Sequence, residues 1–254
     1  MLDGMKSATD GMLLASVRQD IVTNNLANVG TAGFRKEGVV IESFSQVMNK
    51  EMQDAGEVTS GGSGVENKTG LRHYSMTYTG QGALKESGDP FDLALDDNGK
   101  GYFAMQGSHG EMRFTRGGNF KLAPDGHLVG PDGAMVMGQR GPIKATGSDF
   151  KVSDNGTVSV DGKEVDKLLV CVIEDPKAID RQNGTSFTVN NPQAVKSSPD
   201  YKIRQGFVEQ ANFNALGEMM ELMQISRAFE ANQKVLQSHD QRIQKSTSEL
   251  GRVR

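Results

Sequence analysis

The sequence lacks tryptophan, and its 254 residues include one cysteine, Cys171. A single cysteine excludes an intramolecular disulfide, and because Cys171 lies in the apolar run 168–173, we expect a buried structural thiol. No run of about 18 apolar residues occurs, so we expect no direct membrane insertion. The first residues also lack the basic segment and apolar core of a cleaved secretory signal. Any export would therefore have to use another route.

The sequence shows neither a strong net charge nor a catalytic or metal-binding pattern. The net charge of −4 creates no strong attraction to nucleic acid or acidic membranes, and the arginines are dispersed among acids. The histidines are scattered at positions 73, 109, 127 and 239. No nucleophile stands beside a base, and no His, Cys or acidic residues cluster at metal-ligand spacing. We therefore predict no enzyme activity, no cofactor, no metal site and no nucleic-acid partner.

The two ends of the chain carry heptad spacing, which keeps one stripe of a helix facing a partner. The N-terminal seam is Met5, Ala8, Met12, Ala15, Gln19, Val22, Leu26 and Val29, and the C-terminal seam is Met219, Leu222, Ser226, Phe229, Gln233, Leu236, Asp240, Ile243, Thr247 and Leu250. We predict helices over about 3–29 and from Asn212, as N-cap, to about 250. The C-terminal stripe is apolar only at every second position. This thin stripe indicates that the helices bury much of their surface against other copies or chains.

The middle of the chain has the signals of an all-β body. Six turn dipeptides separate short apolar runs between residues 91 and 206: Asn98-Gly99, Asp125-Gly126, Asp132-Gly133, Asn155-Gly156, Asp161-Gly162 and Asn183-Gly184. Such dipeptides favour type I′ hairpins. Residues 34–48 are expected to be extended with a short helical turn, 54–70 a loop and 71–78 a strand. The predicted fold class is α+β, with N- and C-terminal helices that pair as a coiled coil and an intervening all-β body.

Several segments resemble the signatures of bacterial flagellar rod and hook proteins. Residues 24–35 read NNLANVGTAGFR, close to the family pattern N-N-L-A-N-V-x-T-x-G-F-(K/R). Residues 89–95, 101–103 and 113–120 are similar to the D-(V/L)-A-(I/L), G-(F/Y)-F and Y-T-R-x-G-x-F elements of the family's β domain. Residues 205–212, 218–223 and 227–235 are similar to its C-terminal helix and the entry to that helix. Almost the whole chain is covered, apart from the loop near 50–70.

The resemblance implies a structural subunit of the flagellar rod, the axial drive-shaft, which self-assembles through its terminal helices. It implies four parts: an N-terminal helix of the inner tube (1–33), a linking region with a flexible loop (34–85), a β-rich outer domain (86–206) and a C-terminal inner-tube helix (207–254). The implied partners are copies of itself, neighbouring rod proteins and the flagellar type III export apparatus. The implied location is the basal-body rod in the periplasmic space, reached without a cleaved signal peptide.

The resemblance also implies an assembly interface at both ends of the chain. Its expected residues are Met5, Met12, Val22, Asn24, Asn25, Leu26, Asn28, Val29, Thr31, Gly33, Phe34, Leu222, Phe229, Asn232, Leu236, Ile243 and Leu250. Residues 141–143, 155–160 and 249–254 are most similar to the proximal rod member of the family, and the distal rod member is the alternative. A second alternative is a secreted β-rich binding module with oligomerising helical ends. That module would need a concave aromatic site.

Overall fold

The computed structural model describes residues 2–43, 71–147, 149–173, 179–189, 195–197 and 201–250. The short helical turn expected before residue 48 and the loop expected over 54–70 lie outside these residues. The chain divides into two compact units. One contains residues 1–26, 37–76 and 215–254, and the other contains residues 27–36 and 77–214.

Among the described residues, one helix precedes the strands in chain order and another follows them. Helix α1 spans Leu2–Ala27 and α2 spans Ala215–Leu250. The strands are β1 Glu37–Ser43, β2 Leu71–Thr77, β3 Leu84–Glu86, β4 Leu93–Asp96, β5 Gly101–Gln106, β6 Met112–Thr115, β7 Lys121–Leu122, β8 Leu128–Val129, β9 Met135–Val136, β10 Phe150–Val152, β11 Thr157–Val160, β12 Lys163–Lys167, β13 Val170–Ile173, β14 Ile179–Asn183, β15 Ser186–Val189, β16 Val195–Ser197, β17 Lys202–Gln205 and β18 Phe207–Glu209. The predicted α+β class, with a helix at each end and a β-rich body, is confirmed.

The β body is built around β5, which pairs antiparallel with β6, β9 and β13. Further antiparallel pairs are β10–β11–β12, β17–β4 and β18–β3. Side chains alternate along a strand, so β5 serves two hydrophobic clusters. Phe103 and Met105 belong to the larger one, with Leu93, Phe120 and Val158, whereas Tyr102 and Ala104 belong to the smaller one, with Phe114, Cys171 and Phe187. The expected burial of Cys171 is confirmed.

The turns follow the glycines but are not all of the predicted type. At Asn98-Gly99 and Asp161-Gly162 both residues have positive φ, as a type I′ turn requires. At the other four dipeptides only the glycine has positive φ. Three of these turns have an Asp or Asn oxygen accepting a hydrogen bond from the backbone nitrogen two residues on, at Asp125, Asp132 and Asn155. That local bond favours the turn without a second left-handed residue.

Candidate assembly site

Within the helical unit, α1 and α2 share a small apolar core. Ala15, Val22 and Ile225 are buried together, and Leu222 and Phe229 pack against them. Ala15 contributes the smallest of these side chains, and the larger residues of α2 complete the cluster. Burying a residue such as Leu, Ile or Phe contributes about 1.5–3 kcal/mol. A core this small therefore gives the helix pair only a modest stability of its own.

One hydrogen bond and two close approaches at glycines show how the two helices are aligned. The Asn25 amide donates to Glu218 over 3.1 Å. A Cβ added at Gly11 would lie 2.7 Å from the Asn232 amide nitrogen, and one added at Gly4 would lie 3.1 Å from the His239 ring. From Gly4 to Gly11 the position in α1 advances by seven residues, while its neighbour in α2 moves back by seven. The helices are therefore antiparallel, with contacts that recur at the heptad interval.

The structure corrects half of the predicted C-terminal seam. Leu222, Phe229 and Leu236 are partly buried as the spacing requires. The positions between them that face α1 are Glu218, Ile225, Asn232 and His239. Of the predicted alternate positions, Ser226 is partly buried, whereas Met219, Gln233, Asp240 and Thr247 are exposed. Both sets follow a 3-4 spacing and both are largely polar, so hydrophobicity could not distinguish them. Gly4 and Gly11 provide the signal, because they leave room for the larger Asn232 and His239 side chains.

The other predicted interface residues are spread from buried to exposed. Val22, Asn25, Gly33 and Phe34 are buried; Met5, Met12, Leu26, Asn28, Thr31 and Asn232 are partly buried; Asn24, Val29 and Ile243 are exposed, as is the predicted seam residue Gln19. The side chain of Leu250 lies outside the described ones. Their role in assembly stays a prediction. The structure instead assigns several of them to intramolecular contacts.

Asn25, near the end of α1, also forms hydrogen bonds with the backbone of β1. Its amide nitrogen donates to the Glu37 carbonyl over 2.9 Å, and its amide oxygen accepts from the Glu37 backbone nitrogen over 3.0 Å. The side chain thereby satisfies both backbone groups of the first residue of β1. Because unpaired buried polar groups are costly, an asparagine is suited to this position. One buried amide thus links α1 to both β1 and α2.

Gly33 and Phe34 anchor the chain that follows α1. Gly33 has φ +70°, and an added Cβ would lie 2.2 Å from the Gly117 backbone nitrogen. Its own nitrogen donates to the Glu209 carbonyl over 2.7 Å. The Phe34 ring packs edge-on against Phe213 with centroids 6.0 Å apart. The left-handed conformation and the close backbone approach both require glycine.

Three family-like segments meet in a buried cluster of charges. Arg35 Nη1 lies 2.9 Å from Glu209 Oε1, Arg116 Nη2 lies 2.7 Å from Glu209 Oε2, and Arg116 Nη1 lies 2.8 Å from Asp97 Oδ1. All four side chains are at most 2% exposed. Arg35 ends the first segment, Arg116 belongs to the central one, and Glu209 belongs to the last. This charge cluster was not predicted, although one charged residue in each segment was a usable signal.

The charge cluster balances two cations against two anions. Burial lowers the pKa of Arg35, and Glu209 opposes that shift. Burial also raises the pKa of the nearby Tyr102 phenol, which the two arginines partly counteract. Arg116 further donates to the Gly101 carbonyl over 2.6 Å. Removing one partner would leave an uncompensated buried charge, which is far more costly than losing a surface pair.

Asn212 acts differently from its predicted N-cap role. Helix α2 begins at Ala215, so Asn212 lies outside the capping position. Its amide oxygen accepts from the Lys36 backbone nitrogen, and its amide nitrogen donates to the carbonyls of Tyr78 and Gly80. Asn212 therefore joins three separate segments of the β-rich unit. The sequence showed a polar residue near a helix start but not its long-range partners.

The described residues offer neither a metal-binding cluster nor a membrane-spanning helix. Among the described residues, no group of three His, Cys, Asp or Glu side chains is placed to hold a metal ion. No described helix is both long and apolar enough to cross a membrane. The candidate assembly site described above instead consists of the apolar helix–helix core and the buried ion pairs of the charge cluster.

Comparison with known families matches both ends and the body. The model "Flagella basal body rod protein" matches residues 5–35, "Flagellar hook protein FlgE/F/G D1 domain" matches 98–160, and "Flagellar basal body rod FlgEFG protein C-terminal" matches 204–249. The chain belongs to the flagellar basal-body rod protein family. Members of this family are structural rod proteins and not enzymes. The predicted role as a structural rod subunit and the prediction that the protein is not an enzyme are therefore confirmed. A location at the flagellar basal body follows.

Curated relatives match along almost their whole length. The hook-basal body complex protein FlhO of Bacillus subtilis strain 168 is 25% identical over 272 residues, covering 100% of both chains. In Caulobacter vibrioides, the rod protein FlgG is 28% identical over 270 residues, covering 98% of this chain and 99% of its own. FlgF of the same bacterium is 28% identical over 239 residues, covering 92% of each. By the family resemblance, FlgF is the proximal rod member and FlgG the distal one. Their equal identity to this chain does not separate the two, so the proximal assignment stays a prediction.

Proposed function

We propose that this rod subunit self-assembles through its terminal helices, which pair as an antiparallel coiled coil. The observation that carries the proposal is the heptad interval of the contacts between α1 and α2. A second support is the thin stripe of Leu222, Phe229 and Leu236, each only partly buried within one chain. Such a stripe gains from further burial against neighbouring subunits. In this proposal the inner tube is formed by residues 1–33 and 207–254. The linking region comprises residues 34–85, and the outer domain comprises residues 86–206.

The proposed partners are other copies of this chain and neighbouring rod proteins. The flagellar type III export apparatus is proposed to deliver the chain to the periplasmic rod. The proximal position is our preferred one, on the similarity of residues 141–143, 155–160 and 249–254 noted above. A tagged copy located along isolated basal bodies tests it. A tag at the hook-side end of the rod would favour the distal member.

A secreted binding module is less well supported. That alternative needs accessible aromatic side chains in a concave site. Phe103, Phe120, Tyr102 and Phe187 are instead buried in the two clusters of the β body. These rings pack edge-on in pairs, with centroids 5.3 Å apart for Phe103 and Phe120. Such packing supports a structural core.

Leu236→Asp tests self-assembly, with Gln237→Asp as its matched control. Leu236 is partly buried on the face towards α1, whereas Gln237 is exposed. The aspartate at 236 removes an apolar contact worth roughly 1.5–3 kcal/mol and places a charge where burial is costly. We expect Leu236→Asp to be absent from isolated basal bodies and to abolish motility, with the β body still folded by circular dichroism. Normal incorporation of Leu236→Asp would contradict the proposal.

A further inference from the structure

A polar cleft in the β body belongs neither to the helix pair nor to the charge cluster. Its volume is about 200 Å³. The cleft is lined by the segment 168–170 and by the side chains of Gln139, Asn155, Lys167, Ser197 and Tyr201. These residues come from the ends of β12 and β16, the start of β13 and the connecting segments. Because they are scattered along the chain, no sequence motif marks the cleft.

Lys167 gives the cleft a positive charge. Among the described residues that line the cleft, Lys167 is the only charged one. Its ammonium lies 5.9 Å from the centroid of the Tyr201 ring, at the distance of a cation–π contact. Lys151 forms an ion pair with Asp149 over 2.7 Å, whereas no described carboxylate pairs with Lys167. The charge of the cleft is therefore uncompensated.

The acid next to Lys167 in the sequence has other partners. Asp166 Oδ1 accepts a hydrogen bond from the Lys167 backbone nitrogen over 2.7 Å. Asp166 Oδ2 accepts one from the Arg140 backbone nitrogen over 3.0 Å. Both carboxylate oxygens of Asp166 are thus engaged by the main chain, and Asp166 does not line the cleft.

Two uncharged side chains add hydrogen-bonding groups beside the cation. The Gln139 amide and the Ser197 hydroxyl line the cleft, and neither forms a side-chain hydrogen bond within the described part of the chain. The Tyr201 hydroxyl donates to the Asn155 carbonyl over 3.2 Å. Burial raises the pKa of Tyr201, so this phenol adds no negative charge. One cation with neutral donors suits a ligand group that carries a single negative charge.

We propose that this cleft binds a carboxylate group, which pairs with Lys167 and accepts hydrogen bonds from Gln139 and Ser197. A phosphate ester carries a charge of about −1.5 to −2, which is more than one lysine balances. The cleft is smaller than the roughly 300–1,000 Å³ of pockets for drug-sized ligands, so it suits a small group. The site uses no residue of α1 or α2 and is independent of the proposed self-assembly.

An acetate titration of the full-length protein at constant ionic strength tests the site. The backbone amide signals of Leu169 and Ser197 in NMR spectra report binding, and acetamide, which has nearly the same shape without the charge, is the ligand control. We expect saturable shifts with acetate but not with acetamide. Lys167→Met should weaken acetate binding about tenfold or more, because the charged partner is lost. The matched control is Lys163→Met, since Lys163 is exposed on the same strand and does not line the cleft.

Two results would overturn the inference: no saturable shift with acetate, or equal acetate affinity in wild type and Lys167→Met. If Lys167→Met does not fold, Ser197→Ala replaces it, because this variant keeps the cation and removes one donor. Ser197→Ala should weaken acetate binding measurably, and unchanged binding would count against the site. Leu236→Asp tests self-assembly separately, so failure of one proposal is distinguishable from failure of the other.

Carbodiimide coupling identifies the source of the carboxylate. The reagent joins Lys167 Nζ to a carboxylate carbon as an amide, takes up the oxygen that leaves and becomes a urea. In a mixture of isotope-labelled and unlabelled copies, an isotope-mixed cross-link at Lys167 that acetate suppresses would identify an acidic side chain of a second copy. Acetate binding without such a cross-link would identify a free small carboxylate. Both results support the site.

Discussion

The Asn25 amide nitrogen donates to the Glu218 carboxylate over 3.1 Å, and both side chains are buried. This bond joins helices at opposite ends of the chain and sets their alignment. The same amide also holds both backbone groups of Glu37. A single side chain therefore couples the pairing of the helices to the start of the first strand.

We expect Asn25→Ala to destabilise the helical unit by at least about 1–3 kcal/mol, because it leaves Glu218 and the Glu37 backbone without these partners. Loss of helical circular dichroism on heating measures the effect. Asn24→Ala is the control, since Asn24 is an exposed neighbour in the same turn. Identical melting of the two variants would show that the buried amide does not set the helix alignment.

Arg116→Met should destabilise the β body by about 3–5 kcal/mol, because Glu209 and Asp97 would lose their shared buried cation. The matched control is Arg204→Met. Arg204 lies 2.9 Å from Asp96, but these side chains are 54% and 37% exposed. An exposed pair contributes about 0–1 kcal/mol. Urea unfolding measures both variants, and equal midpoints would contradict the structural role of the charge cluster.

Gly33→Ala and Gly30→Ala separate two glycines of the same segment. Gly33 has φ +70°, and its added Cβ would meet the Gly117 backbone nitrogen at 2.2 Å, whereas nothing lies within 4 Å of a Cβ at Gly30. Backbone strain of this kind costs about 1–3 kcal/mol, and the clash with main chain adds to it. We expect a large fall in thermal stability for Gly33→Ala alone. Comparable losses in both would mean that the segment rearranges freely.

The features that could be predicted from the sequence are those that depend on hydrophobic periodicity and turn residues. Both helices, the β body and the buried Cys171 follow from local patterns that need no knowledge of distant residues. The alternating seam positions did not follow, because Glu218 and Asn232 become interface residues only opposite Asn25 and Gly11. Such partners depend on alignment between the chain ends, which hydrophobic spacing leaves open.

The charge cluster and Asn212 show the same limit more strongly. An arginine in a sequence is usually a surface residue, so burial of Arg35 and Arg116 could be recognised only by bringing three segments together. Asn212 looked like a helix cap because its local neighbours are helical, while its bonds reach Lys36, Tyr78 and Gly80. Family resemblance marked these segments without indicating what joins them.

The buried Cys171 thiol makes the stability of the β body depend on pH. Burial raises the pKa of this thiol. In the unfolded chain the pKa of the thiol is about 8.5, so the unfolded state releases its proton first as the pH rises. The contribution of the protonated thiol to stability is therefore fully present below the unfolded pKa and is lost as pH rises through the folded pKa. We expect the free energy of unfolding of wild type to fall relative to that of Cys171→Ala as the pH rises above the pKa of the unfolded thiol.

Parallel urea titrations of the two proteins across this pH range measure the difference. A thiol reagent at neutral pH should label wild-type Cys171 only when urea is present. A constant difference across the pH series, together with rapid labelling of the native protein, would mean that the thiol is open to solvent.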